Sequence, residues 1–267
     1  MKVTVCCIAK MENRYIREWV DWYKKLNFDR IIIVDNNDID GETFVESIPD
    51  YIEDGTVEII DRRGEEKAQF ASYNYVYQKV FNEDWIAFFD VDEFLVLEKH
   101  DTIQEYLSMF DGNTDVVKIN WMCYGDCGNV YYEDKLVNER FKDPLPYDYS
   151  TGRIPNNYHT KCIIRSNCSE KNISYCVNPH VPLGNNIVYR NSAGKLTGSS
   201  PFEKYDFNYS YLKHFTTKTI QEFIENKMVR GVPDRSREDA KRDVNLDMFF
   251  GYNEKTYEKL KVVEQYK

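Results

Sequence analysis

An α/β fold built on a mainly parallel sheet with helices on both faces is the class this chain predicts, and three observations predict it. Short unbroken apolar runs recur (VTVCCIA from Val3, RIIIV from Arg30, WIAFFD from Trp85), as strands buried on both faces require. Between them lie stretches with helical apolar spacing. No internal repeat or low-complexity linker divides the 267 residues, and 42% apolar with 15% aromatic content fills a substantial core.

Val3 to Ala9 reads as the first strand, and Ile16, Trp19, Val20, Tyr23 and Leu26 then line one side of a helix. Arg30 to Val34 and Thr56 to Ile60 are the next strands. Phe70, Tyr73, Tyr77, Val80 and Phe81 mark a second amphipathic helix before the strand WIAFFD. Thr102-x-x-Glu105 is a capping box opening a helix through Phe110, and Asp115 to Trp121 is a further strand. There the sheet is expected to end. From Tyr124 to Pro201 the chain is rich in Gly, Asn, Pro and Tyr, and only Cys162 to Arg165 and Ile187 to Tyr189 look strand-like, so long loops over the sheet edge are predicted. Thr219-x-x-Glu222 caps a helix carrying Ile220, Phe223, Ile224 and Met228 and ended by Gly231. A charged tail, 232–267, reads as a helical extension.

A formal charge of −10 argues against a general nucleic-acid binder. The seven cysteines, odd in number and without a C-x-x-C pair, suggest neither a disulfide scaffold nor a zinc ribbon. The apolar run at the N-terminus is too short for a signal h-region, and no stretch reaches the ~18 apolar residues of a membrane span. A cytoplasmic protein is therefore expected, with attachment to the inner face of a membrane left open. The sequons at Asn167, Asn172 and Asn208 are read as chance.

In an open parallel sheet, ligands bind beyond the carboxyl ends of the strands. Three strands end there in polar groups: Lys10, Glu12 and Asn13; Asp35, Asn36 and Asn37; and Asp90 with Asp92. None of these turns is glycine-rich, so both the dinucleotide fingerprint and the Walker A loop are absent. In Asp90-Val91-Asp92, alternation along an extended backbone puts the two carboxylates on one side, where they suit a hard divalent cation. For an isolated Asp-x-Asp, a solvated acidic turn at a strand end is the simpler account.

Several segments taken in order change that balance. KMENRYIREWVDWYKKLNFDRIIIVDNN, KAQFASYNYVYQKV, WIAFFDVDEFL, INWMCYGDCG, KCIIR and LKHFTTKTIQEFIENKMVRG together resemble the motif series of glycosyltransferase families 2 and 92. The resemblance implies a Rossmann-like GT-A catalytic domain over 1–231. Its nucleotide-sugar half would cover about 1–122 and its loop-rich acceptor half about 123–231. It also implies a nucleotide-sugar donor, usually a UDP-sugar, a Mn2+ or Mg2+ ion, and an inverting transfer. On that reading Asp90, Asp92 and His214 are the metal ligands. Lys10, Glu12, Asp35, Asn36, Lys67, Gln69, Asp90 and Lys218 face the donor, with Asn74 and Lys227 near it.

Inverting transfer needs a base on the acceptor side. Asp126 and His180 are the candidates, and Glu93 is expected to position the donor sugar. Tyrosine- and tryptophan-rich loops, including Trp121, Tyr124, Tyr131, Tyr132, Tyr147, Tyr149 and Tyr158, suit a carbohydrate or lipid-linked glycan acceptor, as in polysaccharide biosynthesis. Two other classes stay open: a haloacid-dehalogenase-like phosphatase, which also places Asp-x-Asp after a strand, and a non-catalytic glycan-binding module.

Overall fold

The computed structural model describes residues 1–152, 154–236, 238–239 and 243–253. Its sheet runs in the order β3-β2-β1-β4-β7-β6-β10-β5. The strands are β1 (Val3–Ala9), β2 (Arg30–Asp35), β3 (Val57–Asp61), β4 (Trp85–Phe88), β5 (Glu93–Leu97), β6 (Val116–Cys123), β7 (Thr160–Arg165) and β10 (Ser210–His214). The short strands β8 (Tyr189–Asn191) and β9 (Leu196–Thr197) extend it from β6.

β1 pairs in parallel with β2 and β4, and β2 with β3, so the first half of the sheet is the parallel unit the apolar runs predict. Alternation along β1 divides it between two cores. Val3, Val5, Cys7 and Ala9 pack with Ile16, Trp19, Val20 and Tyr23 of helix α1 (Asn13–Lys25), whereas Cys6 and Ile8 pack with Tyr73, Val76 and Val80 of and just after the helix Ala68–Lys79. Helices therefore cover both faces.

The sheet does not end after Trp121. β7 returns antiparallel between β4 and β6, and β10 runs parallel to β6 and antiparallel to β5. β7 is buried along Thr160–Ile164, so the strand-like piece KCIIR lies inside the sheet rather than over its edge. β6 serves two neighbours in succession: Val116–Lys118 pair with β8, and Trp121–Cys123 with β10.

The acidic stretch also differs from the extended segment that alternation predicts. β4 stops at Phe88, and Asp90 to Glu93 form a turn closed by the Glu93 N–H donating to the Asp90 carbonyl at 2.9 Å. Thr219-x-x-Glu222 is a capping box, as read from the sequence, and the helical stretch it opens passes through a π-helical turn at Phe223–Lys227 before Met228–Arg230. Of the expected tail helix, Leu246–Tyr252 is observed; residues 254–267 lie outside the described residues. Among the described residues no helix is long and apolar enough to cross a membrane.

Candidate active site

A cavity of about 660 Å³ opens at the carboxyl ends of β1, β2 and β4, walled on its far side by β6, β7 and β10. That volume suits a small-molecule ligand, for which pockets run about 300–1,000 Å³.

The Asp90–Glu93 turn forms one side, and its own neighbours hold it. The Glu93 carboxylate accepts the Asp90 N–H at 2.8 Å and the Trp121 indole N–H at 2.8 Å, while Trp19 donates to the Asp90 carbonyl at 3.0 Å. Glu93 is fully buried, and that burial raises its pKa to about 8 despite the Lys161 charge. It is absent from the cavity wall, and its carboxylate supports the turn. Its expected place at the edge of a donor sugar is corrected accordingly.

β10 brings His214 to the same turn because His214 pairs with Glu93 across β5, and the Phe215 N–H donates to the Asp92 carbonyl at 2.9 Å. His214 Nε2 stands 3.8 Å from Asp92 Oδ1. Burial pushes the His214 imidazole down to about 3, against the pull of Asp92, so the ring is neutral. Burial works the other way on Asp92, but Lys227, followed by other nearby charges, holds its carboxyl well below the usual range. Lys227 Nζ lies 3.5 Å from Asp92 Oδ2 and donates to the Thr216 carbonyl at 2.7 Å. The next turn of helix carries Arg230, which pairs with Glu12 and donates to the Lys10 carbonyl at 3.0 Å.

Asp90 is engaged by protein on both oxygens: Lys161 Nζ donates to Oδ2 at 2.7 Å, and the Tyr73 hydroxyl lies 3.3 Å from Oδ1. On the floor beside it, the Trp121 ring contacts three of the chain's four histidines, with centroids 4.0 Å from His214, 4.9 Å from His159 and 5.0 Å from His180. His180 Nδ1 is 3.1 Å from the Thr160 carbonyl, which can only accept, so Nδ1 carries the proton and Nε2 the lone pair. Burial first, then the Lys161 charge, holds this ring well below the ordinary histidine pKa.

Of the residues the sequence singles out, Lys10, Glu12, Asn36, Lys67, Gln69, Asp90, Asp92, His180 and His214 line the cavity together. Asp35, Asp126 and Lys218 do not. Asp35 Oδ1 accepts the Asn37 N–H at 2.9 Å and Asp126 Oδ1 the Gly128 N–H at 2.8 Å, each carboxylate folding its own turn. Lys218 lies over the Tyr15 ring at 4.4 Å, in a small neighbouring pocket. Asn74 is used elsewhere too, holding both backbone groups of Tyr175 at 2.8 Å.

Sequence reasoning passed over Lys161, Arg230, Asp38 and the segment Gly231–Arg235 with Met248 and Tyr252, all of which face the cavity. Part of the expected tail is thus cavity wall rather than a separate extension. The readable signal for Lys161 was a lysine inside an otherwise apolar strand, KCIIR, which burial tolerates only with a partner.

The donor set fits a divalent cation at Asp92 and His214, which pair an ionised carboxylate with a neutral imidazole. Asp90 Oδ2 is hydrogen-bonded to Lys161 at 2.7 Å, so Asp92 and His214 are the pair left facing each other. Among the described residues, no three His, Cys, Asp or Glu side chains converge as a preformed metal set. The cavity wall is acidic overall, with eight Asp and Glu against six Lys and Arg among the described residues.

The model of glycosyltransferase family 92 matches residues 2–227. A glycosyltransferase family 92 protein of Oryza sativa subsp. japonica is 23% identical over 137 residues, 50% of this chain and 23% of the relative, so the match spans under a quarter of that protein's length. Among solved structures, S. aureus TarS 1–349 is similar at 13% identity and a TM-score of 0.47, covering 94% of this chain and 70% of that one. The same protein in complex with UDP-GlcNAc gives 13% identity and a TM-score of 0.46, over 77% and 62% of the two chains.

Proposed function

The chain belongs to glycosyltransferase family 92, and on that premise we propose that it transfers a sugar from a nucleoside-diphosphate sugar, a UDP-sugar as the family's motif series implies, to a glycan or lipid-linked hydroxyl. The observation that carries the reading is the Asp92–His214 pair, at the carboxyl ends of the parallel strands, in a cavity whose wall is already acidic. A diphosphate adds negative charge to that wall, and a bound divalent cation is the simplest group that makes its entry favourable.

Mn2+ is the ion this carboxylate and imidazole suit best, with Mg2+ second, and when bound it neutralises charge developing on the departing diphosphate. The protein's own cations assist. Lys227 lies beside Asp92 and Lys67 stands at the wall with no carboxylate within 4 Å among the described residues. His180 also lines the cavity, and we assign its Nε2 the proton of the acceptor hydroxyl as that oxygen attacks the anomeric carbon. Attack from the face opposite the leaving group inverts the configuration.

The phosphatase alternative asks for a carboxylate free to attack phosphorus, and Asp90, engaged by Lys161 and Tyr73, offers none. The test is metal-dependent UDP release from UDP-sugars by wild type and Asp92→Ala. Loss of turnover in the variant supports the reading; equal turnover sinks it.

A further inference from the structure

Lys161 is a buried ammonium on a cavity wall, and what it faces is only partly explained by the protein. Its side chain is 2% exposed, yet it lines the cavity. An ammonium has three N–H donors. Among the described residues, one hydrogen bond is made, to Asp90 Oδ2 at 2.7 Å; Glu93 Oε1, at 3.8 Å, is an ion-pair neighbour outside hydrogen-bond range. Buried donors without acceptors are costly, so an oxygen supplied from the cavity is expected at this point.

The location narrows what that oxygen belongs to. Asp92 and His214 mark the diphosphate side and His180 the acceptor side, and the Trp121 ring touches both histidines, 4.0 Å from one and 5.0 Å from the other. With those roles, the sugar being transferred lies between leaving group and base, along the wall that Trp121 shares with both histidines. Lys161 and Asp90 border that same stretch of wall. Together they present a fixed donor beside a carboxylate that is one-third exposed. A hydrogen-bond donor next to an acceptor matches two hydroxyls on neighbouring carbons of one ring.

We propose that Lys161, with Asp90, is a specificity-determining pair that binds two adjacent hydroxyls of the transferred sugar and selects a neutral hexose bearing both. The pair carries no net charge, so it offers a sugar carboxylate no ionic gain over a hydroxyl. The assignment rests on the donor-cavity reading above.

Calorimetric affinities for UDP and for UDP-hexoses, with Mn2+, separate the two ideas. Lys161→Met alone leaves the partly buried Asp90 without its ammonium partner, so the comparison uses Lys161→Met/Asp90→Asn against Asp90→Asn and against Lys161→Arg, with melting temperatures recorded for each. The readout is the ratio of UDP-hexose to UDP affinity in each variant, and for the preferred hexose the double variant should lose about 10- to 100-fold of that ratio relative to wild type, as loss of hydrogen bonds to a charged group implies. Lys161→Arg should recover part of the loss. Among monodeoxy analogues of that sugar, wild type should reject two neighbouring positions and the double variant neither. If UDP and UDP-hexose affinities fall together, or the double variant matches Asp90→Asn, the pair is only a brace for the turn and the assignment is overturned. If wild type binds UDP-sugars no better than a nucleotide-free control, the donor-cavity reading fails and takes this one with it.

Discussion

Glu222→Gln should destabilise the fold by about 3 kcal/mol at neutral pH, and its effect should shrink on acidification. Glu222 is 2% exposed and accepts from Arg140 at 2.8 Å on each oxygen, from the Tyr15 hydroxyl at 2.8 Å, and from the Thr219 hydroxyl at 2.6 Å. Burial alone raises its pKa, but Arg140 and Thr219 win and lower it to about 2. Against an unfolded value near 4.5, that drop is worth about 3 kcal/mol at about 1.36 kcal/mol per pH unit, the low end of the roughly 3–5 kcal/mol expected for breaking a buried pair. Glutamine keeps one acceptor oxygen and still suits the capping box, but its NH2 faces donors where Glu222 accepted, so the loss combines the charge with one lost acceptor. A carboxyl with a depressed folded pKa stabilises the native state above its unfolded pKa and ceases to as pH falls through the folded one. The gap between wild type and variant is therefore full at pH 7 and closes between about pH 4.5 and pH 2. Urea unfolding followed by circular dichroism reads it as a midpoint lower by about 1 M, for a slope near 3 kcal/mol/M. The helical stretch tied down here delivers Lys227 and Arg230 to the cavity, so UDP affinity should fall in parallel. Equal midpoints at pH 7, or a gap that persists at pH 2, refute the reasoning.

Two further substitutions probe the site itself. His214→Ala should shift the Mn2+ titration of donor turnover at least about tenfold to higher concentration, and superimposable curves would remove His214 from the metal site. His180→Gln should lower transfer by about 10²–10⁴ while leaving UDP affinity in place. In wild type the acid limb of the pH–rate profile should lie below pH 6.5, because burial keeps this imidazole unprotonated, and a transfer rate unchanged by the substitution would return the base to unassigned status.

The parallel half of the sheet was legible because buried strands need continuous apolar runs, and VTVCCIA and RIIIV have no other comfortable environment. β7 and β10 were harder to read. KCIIR and SYLKH carry lysines that, by pattern alone, read as surface, and only tertiary partners allow them inside: Asp90 for Lys161, and the half-buried setting of Lys213 beside Asn138. The same effect explains the site. Asp92 and His214 were singled out because a motif series carries both; they lie 122 positions apart in sequence, and the β5–β10 pairing brings them together. Asp35 and Asp126 stand off the cavity wall for a local reason: each carboxylate accepts the backbone N–H two residues on and folds its own turn, and that use has the same sequence appearance as a ligand-facing acid. The role of Val232, Pro233, Met248 and Tyr252 in the wall had no signal in their composition.

On the proposed function, Asp92 and His214 make this cavity a metal-dependent nucleotide-sugar site. Calorimetric titration of UDP into wild type and Asp92→Asn, each with Mn2+ and with a chelator, tests it most directly. UDP binding by wild type with Mn2+ should weaken at least about tenfold with chelator, and the variant's affinity should no longer respond to the metal. UDP binding that ignores both the metal and Asp92→Asn would contradict it.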